Sequence, residues 1–117
     1  MIYPKLMSYS KLTDQAVAVA VALGELDVRP EDRVLIMLPD GPGFAESFTG
    51  AMQQGAVPLP VNPQLAARDV VSAAAEAGAR LVLAPVDRLV TLAELDAEPP
   101  ALIDGPHGLW AAALRLH

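Results

Sequence analysis

The chain has 117 residues, enough for one domain with a core of its own and too few for two ordinary ones. Hydrophobic residues make up 53% of it, which excludes an intrinsically disordered chain, and aromatics only 4%, so the core is built from Ala, Val and Leu. A net charge of −6 without a Lys/Arg cluster leaves no electrostatic footprint for nucleic acid, and the lack of cysteine excludes disulfides, thiolate zinc sites and cysteine nucleophiles.

With no secretory signal and no disulfide need, the expected location is cytoplasmic. Residues 8–24, SYSKLTDQAVAVAVALG, predict a first helix, and its apolar part is too short to span a bilayer. Ser8 can accept from a free backbone N–H at the start. Leu12, Ala16, Val19, Ala20 and Leu23 recur at helical spacing. The Val17/Val19/Val21 alternation would also fit a strand. The cap, the alanines and Gly24, suited to a left-handed terminating residue, favour the helix. Pro30-Glu31-Asp32 is turn chemistry. Val34 to Leu38 is a short continuous apolar run, as a strand covered on both faces requires.

Pro39-Asp40-Gly41-Pro42 stops that strand, and a second helix is expected from about Gly43 to Gln54, with Pro42 at a first-turn position. Its apolar face is Phe44, Phe48, Ala51 and Met52, and Gly55 ends it. AVPLPVNP, residues 56–63, is extended. Pro58 and Pro60 stand two apart, so both missing N–H donors lie on one edge, either of an edge strand or of an irregular extended segment. Residues 66–77 predict a third helix ended by Gly78, and ARLVLAP a further strand. Residues 86–95 are expected to be helical, 97–100 to be a linker, 101–104 a short strand and 108–117 a final helix. The alternation predicts an α/β fold: a mostly parallel, doubly wound sheet with helices on both faces. We expect one domain over residues 1–117, with 97–117 as a loosely packed tail.

The turn at Leu38–Gly43 lies where α/β folds bind ligands, at a strand carboxyl end and a helix amino end. Its spacing matches neither G-x-G-x-x-G nor G-x-x-x-x-G-K-[ST], and Asp40 and Pro42 acidify and crowd it, so it reads as joinery rather than a phosphate cradle. His107 and His117 with Asp104 are too few for a metal site. Ser47 is not in a G-x-S-x-G elbow and reads as a packing or boundary residue. The acidic groups Glu25, Asp27, Glu31, Asp32 and Glu94, Asp96, Glu98 read as solvated charge. Met37 and Met52 fit core packing.

Several segments taken together resemble one family. SYSKL opening a helix, RPEDRVLIMLPDGPGF, GAMQQGAVPLPVNP and AGARLVLAP fall in the order found in the amino-terminal part of adenylate-forming (AMP-binding) enzymes. The cues are Ser8-Tyr9, Asp32-Arg33-Val34, Leu38-Pro39, Gly55-Ala56-Val57 with Pro60, Asn62-Pro63 and Gly78-Ala79-Arg80. LPDGPGF, the GA and GAVPLPVNP that follow it, and the later LIDGPHGLW together look most like benzoate- or hydroxybenzoate-CoA ligases, with fatty-acyl ligases close behind.

The resemblance implies part of an adenylation-enzyme N-terminal subdomain. It also implies a parent activity in which ATP and Mg²⁺ activate a carboxylic acid as an acyl-adenylate and CoA takes up the acyl group. The α-phosphate chemistry needs cations and preorganised donors. The family's Ser/Thr/Gly-rich loop ending in lysine and its carboxy-terminal lysine have no counterpart here, since the only lysines are Lys5 and Lys11. No catalytic and no metal-binding residue is therefore assigned, and the chain alone is expected to bind no cofactor. In some acyl-CoA ligases a basic residue just after Asn-Pro lies near the CoA nucleotide. That position is Gln64 here, and Arg68, one turn on, is its geometric substitute. Expected partners are the remainder of a ligase or a second copy, with no nucleic acid and no membrane span. Two other readings stand beside this one: a standalone α/β interaction module without catalysis, and a small-ligand binder using the turns near Leu38–Gly43 and Ala84–Asp87.

Overall fold

A computed structural model describes residues 9–88, 92, 101–105 and 108–116. Its elements in chain order are α1 (Tyr9–Glu25), β1 (Arg33–Ile36), α2 (Pro42–Gln53), β2 (Val57–Pro60), α3 (Ala67–Ala77), β3 (Ala79–Ala84), a 3₁₀ turn at Val86–Arg88, β4 (Ala101–Gly105) and β5 (Gly108–Arg115). The strands form one sheet in the order β2-β1-β3-β5-β4. β1 pairs in parallel with β2 and β3, whereas β5 pairs antiparallel with β3 and β4. The fold is thus a mixed α/β sheet with helices on both faces.

The strands alternate with period two, and the two faces fill from that alternation. Val34, Ile36, Leu81, Leu83, Ala111 and Ala113 point into a core shared with Val19 and Leu23 of α1 and Ala51 of α2. Leu35, Met37, Val82, Ala84 and Leu114 point the other way, against Ala67, Val70 and Ala74 of α3. Past the exposed Arg33 and Arg80 at their amino ends, β1 and β3 are covered on both sides, which is why the rest of each strand is apolar. α1 and α2 share a face and cross closely at Gly50. A Cβ there would stand 2.7 Å from the Val19 Cβ and 2.8 Å from the Ala16 carbonyl oxygen.

β2 is an edge strand. Val57 and Val61 donate their N–H groups inward to Asp32 and Ile36 of the β1 segment, so Pro58 and Pro60 occupy the outward positions. This matches the sequence pattern, because an outward N–H has no ladder partner to lose. Gly55 (φ 85°) and Gly78 (φ 67°) adopt the left-handed conformation at the ends of α2 and α3, as expected.

The first helix behaves differently at its end. It runs through Gly24 to Glu25, and the left-handed residue is Asp27 (φ 70°). Aspartate tolerates that conformation because its short polar side chain can bond locally. Its expected cap, Ser8, lies outside the described residues. Of the helix expected over residues 86–95, Val86–Arg88 form a 3₁₀ turn and Leu92 is buried against the α3 face; the remainder lies outside the described residues. Met52, expected in the core, is 58% exposed. It stands two residues from Gly50, about 200° around a helix of 3.6 residues per turn, and so faces away from α1.

The largest correction concerns the last segment. Gly108–Arg115 is a strand, not a helix. Alanine favours helices in isolation, but a short apolar run carries no periodicity that distinguishes the two. The space beside β3 decides the outcome. Ala111, Ala112 and Ala113 are all essentially inaccessible there, as in a strand flanked on both sides by other strands. Only residues 106 and 107 separate β4 from β5, far short of the dozen or so residues that a parallel crossover needs, so the pair is antiparallel.

Candidate functional site

The carboxyl ends of β1 and β2 bound a crevice of about 350 Å³. Leu38, Pro39 and Asp40 come from the end of β1, Phe44 from the first turn of α2, and residues 60–63 from the end of β2. Pro42 opens α2, as the sequence predicted, and no side chain caps that helix. Gly41 takes φ 146°, which disfavours a side chain even though open space surrounds its Cβ direction. The lining is apolar apart from Asn62 and the carboxylate of Asp40. Such a donor set does not suit the phosphates of ATP, which call for cations and N–H donors. Among the described residues, no group of three or more His, Cys, Asp or Glu converges as a metal site. No step through ATP or Mg²⁺ is therefore derived from these residues.

The connection from β2 to α3 is the better defined part. The Gln64 amide donates to Asn62 Oδ1 at 2.8 Å, an Asx turn, and the Leu65 amide donates to the Asn62 carbonyl at 3.1 Å. From the turn after β3, Arg88 reaches back, donating from Nη1 to the Pro63 carbonyl at 2.6 Å and from Nη2 to the Leu65 carbonyl at 2.7 Å. Gln64 and Arg68 are both exposed and stand four residues apart across the start of α3. No side chain caps α3, whose N-cap residue is Ala66. This end of the molecule therefore presents exposed polar side chains, Gln64, Arg68 and Asp69, around a helix start without a side-chain cap.

The opposite end of the sheet holds the other sequence cues. Asp32 and Arg80 form an ion pair at 3.7 Å, and Arg33 donates to the Ala77 carbonyl at the end of α3 at 3.0 Å. The Asp32 carboxylate also accepts from the Arg29 amide at 2.9 Å, which closes the predicted turn. Asp32-Arg33 and Gly78-Ala79-Arg80, distant in sequence, thus meet as joinery at the amino ends of the strands. Leu38-Pro39 and Asn62-Pro63 meet at the carboxyl ends, in the wall of the crevice.

Sequence reasoning missed two features. Arg88 lay inside an expected helix, and nothing local marks its reach of more than twenty residues back along the chain. Glu46 is fully buried in α2 beside Ser47, also fully buried, as its reading as a packing residue allows. The flanking Phe44 and Phe48, whose rings stack at 5.8 Å, gave the only hint that this face turns inward. His107 and His117 lie outside the described residues. No helix among those described is long and apolar enough to cross a membrane.

Comparison with known proteins agrees with the layout. The family model for AMP-binding enzymes matches residues 2–109. The chain is 30% identical over 112 residues to the long-chain-fatty-acid–CoA ligase FadD13 of Mycobacterium tuberculosis, covering 94% of this chain and 22% of that protein. It is 35% identical over 119 residues to the salicyl-AMP ligase/salicyl-S-ArCP synthetase of the same organism, covering 94% and 21%. A benzoate CoA ligase from Burkholderia xenovorans LB400 superposes with a TM-score of 0.67 at 32% identity, over 72% of this chain and 17% of that one. The chain spans about a fifth of the length of the curated relatives it matches. On this match, the chain belongs to the AMP-binding enzyme family, and its fold is that of the N-terminal subdomain of adenylate-forming enzymes.

Proposed function

We propose that this chain is part of an acyl- or aryl-CoA ligase, that it does not adenylate an acid alone, and that its working partner is the remainder of such a ligase. One observation carries the reading. The family match extends over residues 2–109, yet no lysine follows Lys11, so the cationic loop on which α-phosphate chemistry depends has no counterpart in these residues. The parent reaction is ATP- and Mg²⁺-dependent activation of a carboxylic acid followed by thioester formation with CoA. Within it, Gln64 and Arg68 are the side chains we assign to the CoA nucleotide, a role supported by their exposure beside an uncapped helix start.

The test is ATP–pyrophosphate exchange with benzoate and palmitate as acids. The isolated chain is expected to give none. Mixing it with a ligase lacking the corresponding segment is expected to restore exchange. Robust exchange by the chain alone would defeat the proposal.

A second reading is an interaction module without catalysis. It is favoured by exposed Val17 (46%) and Val21 (57%) on one face of α1, and by an open apolar groove of about 420 Å³ beside β2 that includes Leu35, Leu59 and Val61. Failure of complementation together with a stable dimer by light scattering would select this reading.

A further inference from the structure

We infer that Arg88 is the positioning residue of the loop that carries Gln64. The inference rests on the proposed contact between that loop and the CoA nucleotide. β1 lies between β2 and β3 in the sheet, so the loops that follow β2 and β3 flank its carboxyl end. Arg88 ties them together. Its planar fork donates to the Pro63 carbonyl at 2.6 Å and the Leu65 carbonyl at 2.7 Å, one on each side of Gln64. These lengths are at or just below the range of charge-assisted hydrogen bonds.

The guanidinium is held from its own side as well. The Arg88 amide donates to the Pro85 carbonyl at 3.0 Å, which forms the 3₁₀ turn at the base of the side chain. On the loop side, the Asx turn at Asn62 already fixes the Gln64 and Leu65 amides. The two constraints are complementary. Asn62 takes the amides, Arg88 takes the carbonyls, and Gln64 is left with its side chain exposed. A lysine cannot substitute, because an ammonium is a point charge without a rigid fork for two carbonyls at set positions. The half-buried charge is compensated by these two acceptors, so no carboxylate is required to hold it. Arg88 therefore orients a ligand-facing loop by its backbone carbonyls and leaves the identity of the Gln64 side chain free.

Amide hydrogen exchange on the whole chain tests the clamp in the parent, Arg88→Ala and Arg88→Lys proteins, and thioester formation by the complemented ligase, with CoA as the probe, tests its consequence. Both variants are expected to exchange roughly tenfold or more faster at Gln64 and Leu65, the factor matching about 1.4 kcal/mol of lost local stability. The Val61 amide, held by β1, should change less than about twofold, because local openings need not involve the sheet. In the ligase restored by mixing, both variants should raise the KM for CoA roughly tenfold and leave that for ATP within about twofold. Unchanged exchange at Gln64 and Leu65, or full retention of parental rates by Arg88→Lys, would overturn the positioning role. If Arg88→Ala unfolds, the lysine variant decides. An unchanged KM for CoA beside faster exchange would instead remove the CoA assignment and leave the exchange result standing.

Discussion

The parallel strands β1 and β3 and the antiparallel hairpin β4–β5 belong to one sheet but are packed by different means. β1, β3 and the residue after β1 supply Leu35, Ile36, Met37, Leu81 and Leu83, among the largest fully buried side chains. β5 buries Ala111, Ala112 and Ala113 just as completely, with a fraction of the volume. On the outer strand, Leu102 is 48% exposed. The parallel part is stabilised by large side chains enclosed between two helical layers, whereas the described part of the hairpin adds only Ile103 and Leu114 to its buried alanines and is tied at one end by Arg115. Burial alone does not distinguish them; the volume buried per residue does.

The sharpest way to break the contrast is to remove the same atoms from each part. Leu83→Ala is expected to cost about 2–5 kcal/mol in urea denaturation, because it leaves a cavity between packed layers. Leu102→Ala should cost less than about 1 kcal/mol, as a surface substitution does. Equal losses would mean that the hairpin is as tightly enclosed as the parallel strands.

Anchoring comes next in size. Arg115, at the end of β5, donates through Nη2 to the Leu26 carbonyl just beyond α1. Arg115→Met keeps an aliphatic stem while removing that bond, and is expected to cost about 1.5–3 kcal/mol, the range for a hydrogen bond to a charged group. Amide protection in β4 and β5 should fall well before that in β1 and β3. A uniform loss across the sheet would show that the hairpin has no separate anchor.

The smallest effect is expected where the parallel strands begin. Asp32→Asn retains an oxygen for the Arg29 amide and removes only the charge facing Arg80. A pair at 3.7 Å, with Arg80 nearly half exposed, should contribute no more than about 1 kcal/mol. The difference from the parent should shrink further in about 1 M salt, where screening acts over about 3 Å.

Much of the parallel part was legible because its signals are local. A continuous apolar run marked β1, the stretch ARLVLAP after Gly78 marked β3, glycines marked the ends of α2 and α3, and two prolines two residues apart marked an edge. β5 was not legible from composition, since AAAL suits either a helix or a buried strand. Its short spacing from β4 was the overlooked cue, because so brief a link admits only an antiparallel return. The close crossing at Gly50 and the reach of Arg88 depend on which segments become neighbours, and no window of sequence encodes that. The candidate site was legible in outline through Asn62-Pro63-Gln64, but not in the clamp that shapes it.

Pro58 and Pro60 have a consequence for how this molecule can meet others. With no hydrogen to offer at either outward position, the margin at β2 acts as a selvedge: the weave ends there. An incoming β-strand would find acceptors without matching donors and could not complete a ladder. Any partner on that side must be recognised by its side chains, so fit there depends on shape rather than on the generic stickiness of bare backbone.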